Sequence, residues 1–150
     1  MNNVKLNLGS GNRPQKGYVN IDIQERVNPD LVCDVLAGLP YEDNSVDEVR
    51  AFDFLEHLPL GSQINTITEI WRVLNNGGLL EHFTPSTDGR GAFCDPTHLS
   101  FWNRNSWRYY TEDSHMALYG IKAKFEIIEL RDILTGDNII HTYGRLNAIK

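Results

Sequence analysis

Residues 5–23 have the sequence KLNLGSGNRPQKGYVNIDI, in which two apolar segments flank a glycine-rich turn. The first segment ends at Leu8 and leads into Gly-Ser-Gly at 9–11, and the second ends at Asp22. A Gly-x-Gly turn after a strand lets the backbone pass close to a ligand, because no Cβ intrudes. The stretch therefore predicts a strand, a turn and a second strand. The stretch either has only a structural role or forms a cofactor site. In a cofactor site, the Asp22 carboxylate would accept hydrogen bonds from both hydroxyls of a ribose.

Two common nucleotide-binding patterns do not fit this stretch. The dinucleotide fingerprint needs a third glycine, where this chain has Pro14, and an acidic residue about 20 positions on, so Asp22 comes too early. A Walker-type phosphate loop needs Gly-Lys followed by Ser or Thr, which the sequence lacks. The pattern therefore disfavours NAD and a phosphate loop.

Apolar spacing along the rest of the chain predicts an α/β sheet that is mostly parallel. A helix is expected at 64–74 with Ser62 as its N-cap, and another at 104–113 with Asn103 as its cap. Apolar residues in 85–100 show neither helical nor strand periodicity, and a loop of that length is usually functional. The predicted strands are 4–8, 18–22, 31–33, 47–52 and 79–83, followed by a hairpin of 124–130 and 138–148.

Composition predicts one soluble cytoplasmic domain spanning residues 1–150. The formal net charge is −6 and no dense Lys/Arg run occurs, so nucleic acid is a poor partner. No apolar run approaches the roughly 20 residues that span a bilayer, which argues against a membrane partner. Cys33 and Cys94 are isolated and are predicted to be free thiols. The oligomeric state is left open.

Four blocks occur in order along the first half of the chain: LNLGSGN at 6–12, VNIDI at 19–23, CDVLAGLPYEDNSVDEVRAFDFLEHL at 33–58 and EIWRVLNNGGLL at 69–80. Together they resemble the class I S-adenosylmethionine-dependent methyltransferases, particularly small members related to quinone-biosynthesis methylases. The resemblance implies a Rossmann-like, mostly parallel, seven-strand-type sheet with an antiparallel C-terminal hairpin.

The chain departs from that family in its first motif and first crossover. Asn7 stands where the family usually has an acidic residue, which would weaken a contact to the methionine amine. Pro14 and Gly17 fall in the short segment where the first helix normally lies, so a shortened first helix is expected.

The resemblance also implies the cofactor, S-adenosyl-L-methionine, and its contacts. The glycine turn would approach the methionine part, Asp22 the ribose and Asp34 the adenine amino group. Arg13 is either a partner of the cofactor carboxylate or a solvated loop residue. The implied cofactor-binding residues are Asn7, Gly9, Ser10, Gly11, Asp22, Ile23, Asp34, Val35, Phe52 and Asp53.

A hydroxyl or amine acceptor must also lose a proton, which a nearby His or carboxylate can accept. The predicted catalytic residues are His98, Asp95 and His57, against the alternative that the histidines only support local structure. His82 alternates within a strand and is predicted to be a sheet residue. Cys94 and His98 match no common zinc spacing, so the sequence predicts no metal site.

Aromatic residues are concentrated after the long loop. They line an acceptor pocket or pack a helix on the sheet, and the sequence leaves both open. The residues are Phe101, Trp102, Trp107, Tyr109 and Tyr110.

The sequence thus predicts methyl transfer to a small or polar acceptor, such as a sugar or another metabolite. The alternative is a non-catalytic cofactor-binding or scaffold protein that keeps the fold. A metal-dependent hydrolase is a third hypothesis.

Overall fold

The computed structural model describes residues 3–150, and its strands form one seven-stranded sheet of order β3-β2-β1-β4-β5-β7-β6. The first five strands in the chain run parallel, and β7 is antiparallel to both β5 and β6. The predicted α/β class, the parallel sheet and the antiparallel C-terminal hairpin are confirmed. The strands are β1 Lys5–Leu8, β2 Val19–Asp22, β3 Leu31–Val32, β4 Val46–Phe52, β5 Leu74–Pro85, β6 Lys124–Gly136 and β7 Ile139–Ile149.

Helices are short apart from the one between β4 and β5. The α-helices are α1 Gln63–Val73, α2 Gly91–Cys94, α3 Arg108–Thr111 and α4 Asp113–Tyr119. Single 3-10 turns occupy Glu25–Val27, Val35–Ala37, Leu55–His57 and Arg104–Trp107. No helix among the described residues is long and apolar enough to cross a membrane.

Several predicted boundaries differ from the structure. The helix expected at 104–113 is divided between a 3-10 turn and α3, although Asn103 does cap it, with Oδ1 accepting from Asn105 N at 2.9 Å. Ser62 occupies the N-cap position of α1, but its hydroxyl donates to the Pro59 carbonyl instead. The strand expected at 79–83 begins at Leu74, because the bulge around Gly77, with φ +78°, lets the chain leave α1 directly into the sheet.

The predicted loss of the first crossover helix is confirmed, since residues 9–18 connect β1 to β2 without a helix. Two buried asparagines hold this connection. Asn7 Nδ2 donates to Asn20 Oδ1 at 2.9 Å, and the same oxygen accepts from Gln15 N at 2.7 Å. Asn7 Nδ2 also lies 3.4 Å from the Arg13 carbonyl oxygen. Side-chain amides therefore organise the loop that a helix would otherwise span.

One face of the sheet is polar. Lys5, Asn7, Glu48, Arg50 and Glu81 share this face, because Lys5 pairs in register with Glu48, and Asn7 and Glu81 with Arg50. Lys5 Nζ lies 2.7 Å from Glu48 Oε2, and Arg50 Nη1 lies 3.9 Å from Glu81 Oε2. A doubly wound sheet normally needs helices on both faces because both are apolar. Paired charges make this face compatible with water, so it needs no such cover.

The opposite face carries the core. Leu6 and Leu8 of β1 are fully buried with Ile67 and Ile70 of α1. Trp107, also fully buried, belongs to the same core. The hydrophobic contribution to stability is therefore concentrated on one side of the sheet.

His82 of β5 lies in this core and not at the candidate site. It is fully buried, its ring stacks on Trp107 at 4.3 Å between centroids, and Nδ1 lies 3.4 Å from Thr84 Oγ1. Its register partner on β7 is Gly144. Burial lowers the pKa of His82 to about 3, so the native ring is neutral. The structure therefore supports the prediction of a sheet histidine.

We expect Gly144→Ala to lower the free energy of unfolding by about 1–3 kcal/mol, the range for overpacking a filled core. A Cβ at position 144 would lie 2.8 Å from His82 Cδ2, and that ring has no free space to move into. Urea unfolding checks the value. Gly136→Ala is the matched control, because its Cβ would meet Ile139 only at 3.4 Å or beyond. Equal stability of the two variants would contradict the packing at Gly144.

We expect His82 to make the protein less stable in mild acid. The unfolded side chain binds a proton below a pKa of about 6.5, and the native ring does so only near 3. Stability contributed by the neutral ring is therefore present above about pH 6.5 and is lost as the pH falls towards 3. Between about pH 7.5 and 5.0 the loss is about 2 kcal/mol. Urea unfolding of His82→Gln should show a pH dependence smaller by that amount, and an unchanged dependence would refute this.

Candidate functional site

A cleft of about 560 Å³ opens at the carboxyl ends of the first four strands. Gly9 follows β1, Asp22 ends β2, Asp34 follows β3 and Asp53 follows β4, and all four line the cleft. Ligands of open α/β sheets bind at this edge. The parallel topology has therefore brought together residues that lie far apart in the sequence.

The glycine turn is held by Asp22. Gly11 N donates to Asp22 Oδ2 at 2.9 Å, and Gln24 N donates to Asp22 Oδ1 at 2.9 Å. Each carboxylate oxygen can accept more than one hydrogen bond, so Asp22 keeps capacity for a ligand hydroxyl. Asp22 consequently shapes the turn and also faces the cleft.

Gly9 is required by its conformation and by its neighbour. Its φ is +62°, in the left-handed region that glycine adopts freely. A Cβ there would lie 2.6 Å from Cδ2 of Phe54, which also lines the cleft. The Phe54 ring therefore packs directly against the turn.

Six of the ten predicted cofactor-binding residues line the cleft, namely Gly9, Asp22, Ile23, Asp34, Val35 and Asp53. Asn7 points to the polar face, where it binds Asn20, and Ser10 is buried in the turn with its N–H on the Ile21 carbonyl. Phe52 also lies on the polar face, with the Arg50 guanidinium 3.6 Å from its ring centre. Gly11 contributes to the turn through its bond to Asp22.

Sequence reasoning missed the remaining lining residues, which are Ile21, Gln24, Cys33, Leu36, Phe54, Leu58, Pro59 and Thr97, and it assigned His57 only to catalysis. Strand alternation places Phe52 on the polar face with Arg50, and Phe54 differs from it because β4 ends at Phe52 and Asp53, with φ +49°, redirects the chain. Cys33 is half-buried, and burial raises the pKa of its thiol, with Asp34 and Glu69 adding to the effect.

Asp53 sits at the centre of a small polar group at the cleft edge. It adopts φ +49°, unusual for a non-glycine residue, while its N–H donates to the Phe83 carbonyl at 2.8 Å. Arg13 Nη1 lies 3.4 Å from Asp53 Oδ2, and His141 Nε2 lies 3.7 Å from Oδ1. The Arg13 side chain is 88% exposed. Its pairing with a cofactor carboxylate stays a prediction.

The three predicted catalytic residues lie together beside the cleft. His57 and Thr97 line it, and the His57 and His98 rings are 5.1 Å apart between centroids. His98 is largely buried behind His57, and its Nε2 lies 3.8 Å from Asp95 Oδ2. His98 is therefore at the same end of the sheet as Gly9 and Asp22.

A buried carboxyl group that sequence reasoning missed completes this cluster. Glu56 is 2% exposed, and its Oε1 lies 3.9 Å from His57 Nε2. The pKa of Glu56 is raised to about 8, chiefly by burial and also by the charges of Asp53 and Asp95.

The aromatic residues after the long loop divide between core and surface. Trp102, Trp107 and Tyr110 are buried in the core, whereas Phe101 and Tyr109 are exposed. All of them except Trp107 line a separate cleft of about 280 Å³. That cleft shares no lining residue with the first one. The aromatic residues after the long loop that line this second cleft are Phe101, Trp102, Tyr109 and Tyr110.

Comparison with known families finds one match, which lies mostly in the first half of the chain. The model of a family described as "Methyltransferase domain" matches residues 13–81. This segment is similar to that methyltransferase family. The match covers the strand ends that carry Asp22, Asp34 and Asp53 and begins after the glycine turn. No curated protein matches the sequence.

Solved structures share the fold at low sequence identity. A SAM-dependent methyltransferase from Methanosarcina mazei is 17% identical, with 99% of this chain and 94% of that chain covered and a TM-score of 0.67. One from Archaeoglobus fulgidus is 15% identical, covering 97% and 86%, with a TM-score of 0.68. The 1,6-didemethyltoxoflavin-N1-methyltransferase of Burkholderia thailandensis, solved with 1,6-didemethyltoxoflavin and S-adenosylhomocysteine, is 12% identical, covering 98% and 71%, with a TM-score of 0.69.

The predictions of a class I methyltransferase and of an enzyme are confirmed by the family match together with the shared fold. The Burkholderia enzyme was solved with S-adenosylhomocysteine, the product form of the predicted cofactor. The relation to quinone-biosynthesis methylases stays a prediction.

We expect Asp22→Ala to weaken S-adenosylhomocysteine binding by roughly 1.5–3 kcal/mol, the value of hydrogen bonds to a charged group. The Asp22 carboxylate lines the cleft and also accepts a hydrogen bond from Gly11 N, so its removal takes away a ligand contact and loosens the glycine turn. Both effects weaken binding. Titration calorimetry measures the change. Asp113→Ala, on the exposed start of α4, is the matched control. Equal affinity of the Asp22 variant and the wild type would count against this site.

Proposed function

We propose that this methyltransferase transfers the methyl group of S-adenosyl-L-methionine to a small polar acceptor that enters the 560 Å³ cleft. The observation that carries the proposal is the convergence of Gly9, Asp22, Asp34 and Asp53 from four strand ends on this one cleft. The cleft offers carboxylates to the hydroxyl and amino groups of the cofactor and apolar side chains to its adenine ring.

Within the cleft, Asp22 is proposed to bind the ribose hydroxyls and Asp34 the adenine amino group. Asp34 Oδ1 already accepts from Leu36 N at 3.0 Å, which fixes the carboxylate at the start of its 3-10 turn. Ile23 and Val35 offer apolar surface to the adenine ring, and the backbone of Gly9 lies open to the methionine part. The predicted contacts of Asn7, Ser10 and Phe52 have no support from cleft geometry.

Charge favours this cofactor and a small acceptor over nucleic acid. Asp22, Asp34 and Asp53 all line the cleft, and opposite charge attracts the sulfonium and ammonium groups. The same carboxylates disfavour phosphate-rich ligands. The cytoplasmic location and the single-domain organisation predicted from sequence stay predictions.

When bound, the cofactor would supply a methyl group that the acceptor's nucleophile attacks in line, with S-adenosylhomocysteine as the leaving group, so alignment of the acceptor provides much of the catalysis. His57, Asp95 and His98 are proposed as the catalytic group on the cleft wall. This wall contains the side chains able to take up the acceptor's proton. Arg13 and Asp53 are proposed to lie at the methionine end, where the missing first helix leaves the cleft open.

A non-catalytic cofactor-binding protein is the alternative. Its sequence basis was Asn7 in place of an acidic residue. The structure weakens that basis, because Asn7 is committed to Asn20 on the polar face. Binding of S-adenosylhomocysteine without turnover of any acceptor would favour this alternative.

We expect the wild type to form S-adenosylhomocysteine with at least one acceptor from a panel of small hydroxyl and amine metabolites, sugars included. His57→Gln and His98→Gln should lower that turnover by about 100-fold or more while cofactor affinity changes little. Mass spectrometry of S-adenosylhomocysteine and calorimetry give the two readouts. His115→Gln, on α4, is the matched control. Unchanged turnover in both variants would exclude a catalytic role for these histidines.

A further inference from the structure

The loop after β4 and the loop after α2 bring together a compact set of metal-ligand atoms. One ligand-type atom each from Glu56, His57 and His98 lies within 4.8 Å of the other two. We propose that Glu56, His57 and His98 bind a divalent transition-metal ion at the wall of the cleft. Sequence reasoning predicted no metal site, because the candidate ligands that it weighed matched no common zinc spacing, and it did not include Glu56. Those candidates were His57, His82, Cys94, Asp95 and His98.

Glu56 provides the first independent support. Its side chain is 2% exposed, and Oε2 has no hydrogen-bond partner among residues 3–150. The nearest imidazole atom, His57 Nε2, is 3.9 Å from Oε1, too far for a hydrogen bond. A buried polar atom without a partner costs free energy. A cation between the carboxylate and the two rings would remove that cost.

The imidazole tautomers provide the second support. His57 Nδ1 lies 3.1 Å from the Thr97 carbonyl oxygen, and His98 Nδ1 lies 2.9 Å from that of Ala92. A carbonyl oxygen only accepts, so each Nδ1 carries a hydrogen, and in the neutral ring Nε2 has the lone pair. Metal-binding histidines are commonly oriented this way, with the second nitrogen donating to a backbone carbonyl.

The Nε2 atoms of both rings lie near carboxylate oxygens. His57 Nε2 is 3.9 Å from Glu56 Oε1, and His98 Nε2 is 3.8 Å from Asp95 Oδ2. These separations are too long for hydrogen bonds but short enough for a shared cation to contact both atoms. Asp95 is itself oriented by Thr97, whose N–H and hydroxyl both donate to Oδ1, at 2.8 and 2.7 Å. Asp95 Oδ2 is therefore available as a further ligand.

The donor set selects the kind of metal. Two imidazoles with one or two carboxylates suit Zn²⁺, Mn²⁺, Fe²⁺ or Co²⁺, whereas Mg²⁺ and Ca²⁺ prefer oxygen ligands throughout. His57 and Thr97 also line the cleft, so the ion would lie beside the ligand space. An ion with an open coordination position there would accept an oxygen from a molecule in the cleft. A bound ion would occupy the Nε2 atoms of His57 and His98, so these rings would take up the acceptor's proton, as proposed above, only in the metal-free protein. Metal binding itself does not depend on the proposed methyl acceptor.

Metal titration of tag-free protein, stripped with a chelator, tests the site. We expect one equivalent of Co²⁺ to bind with a visible absorption spectrum, and Zn²⁺ to displace it in calorimetry. Glu56→Gln, His57→Gln and His98→Gln should each weaken Co²⁺ binding by about tenfold or more. His115→Gln, which changes a histidine outside this cluster, should bind Co²⁺ as the wild type does.

S-Adenosylhomocysteine binding and thermal unfolding of each variant show whether it is folded. His57 is the most exposed of the three ligands, so its variant is the one least expected to disturb folding. No stoichiometric Co²⁺ or Zn²⁺ binding by the wild type would overturn the proposal. So would folded His57→Gln and His98→Gln proteins that bind Co²⁺ as tightly as the wild type. S-Adenosylhomocysteine binding is measured separately on the stripped protein. If the stripped protein binds it, a failure to bind metal does not count against the proposed cofactor site.

Discussion

The hydrogen bond between Asn7 and Asn20 is the interaction on which the cofactor end of the sheet depends. It joins β1 to β2 through buried amides, and Asn20 also fixes the Gln15 N–H. This arrangement replaces a crossover helix and leaves the glycine turn where Asp22 can hold Gly11. An acidic residue at position 7 would lose the donor that Asn20 Oδ1 needs. The departure from the family's first motif is therefore a structural requirement of the short connection.

The short connection is tolerated because the sheet face above it is not apolar. Lys5 pairs with Glu48, and the Arg50 guanidinium covers the Phe52 ring, so water can reach this face without a hydrophobic penalty. The core is confined to the other face, where α1 packs. The same asymmetry leaves the cleft open beside the glycine turn, since nothing in residues 9–18 forms a helix over it. The polar sheet face therefore accounts both for the missing crossover helix and for the open side of the cleft.

Sequence patterns predicted the sheet and its cofactor edge because those features follow local rules. Strand alternation and the glycine turn located Gly9 and Asp22, and both line the cleft. Phe54 was not considered, because the turn at Asp53, with φ +49°, that brings Phe54 to the cleft breaks the strand alternation on which sequence patterns rely. Glu56 was missed because its significance comes from burial and from His98, which the chain brings back only in three dimensions.

The direct link between β1 and β2 also bears on the order in which the sheet assembles. Leu6 pairs with Val19, a close neighbour in sequence, whereas Leu79 pairs with Asn147. Chain closure costs less entropy for short loops, and native contacts between near residues form faster. The cofactor-side strands can therefore organise early, and the β5–β7 pairing that completes the sheet comes late. Ribosomal synthesis reinforces this order, because the residues of β1 to β4 leave the exit tunnel before β7 is made.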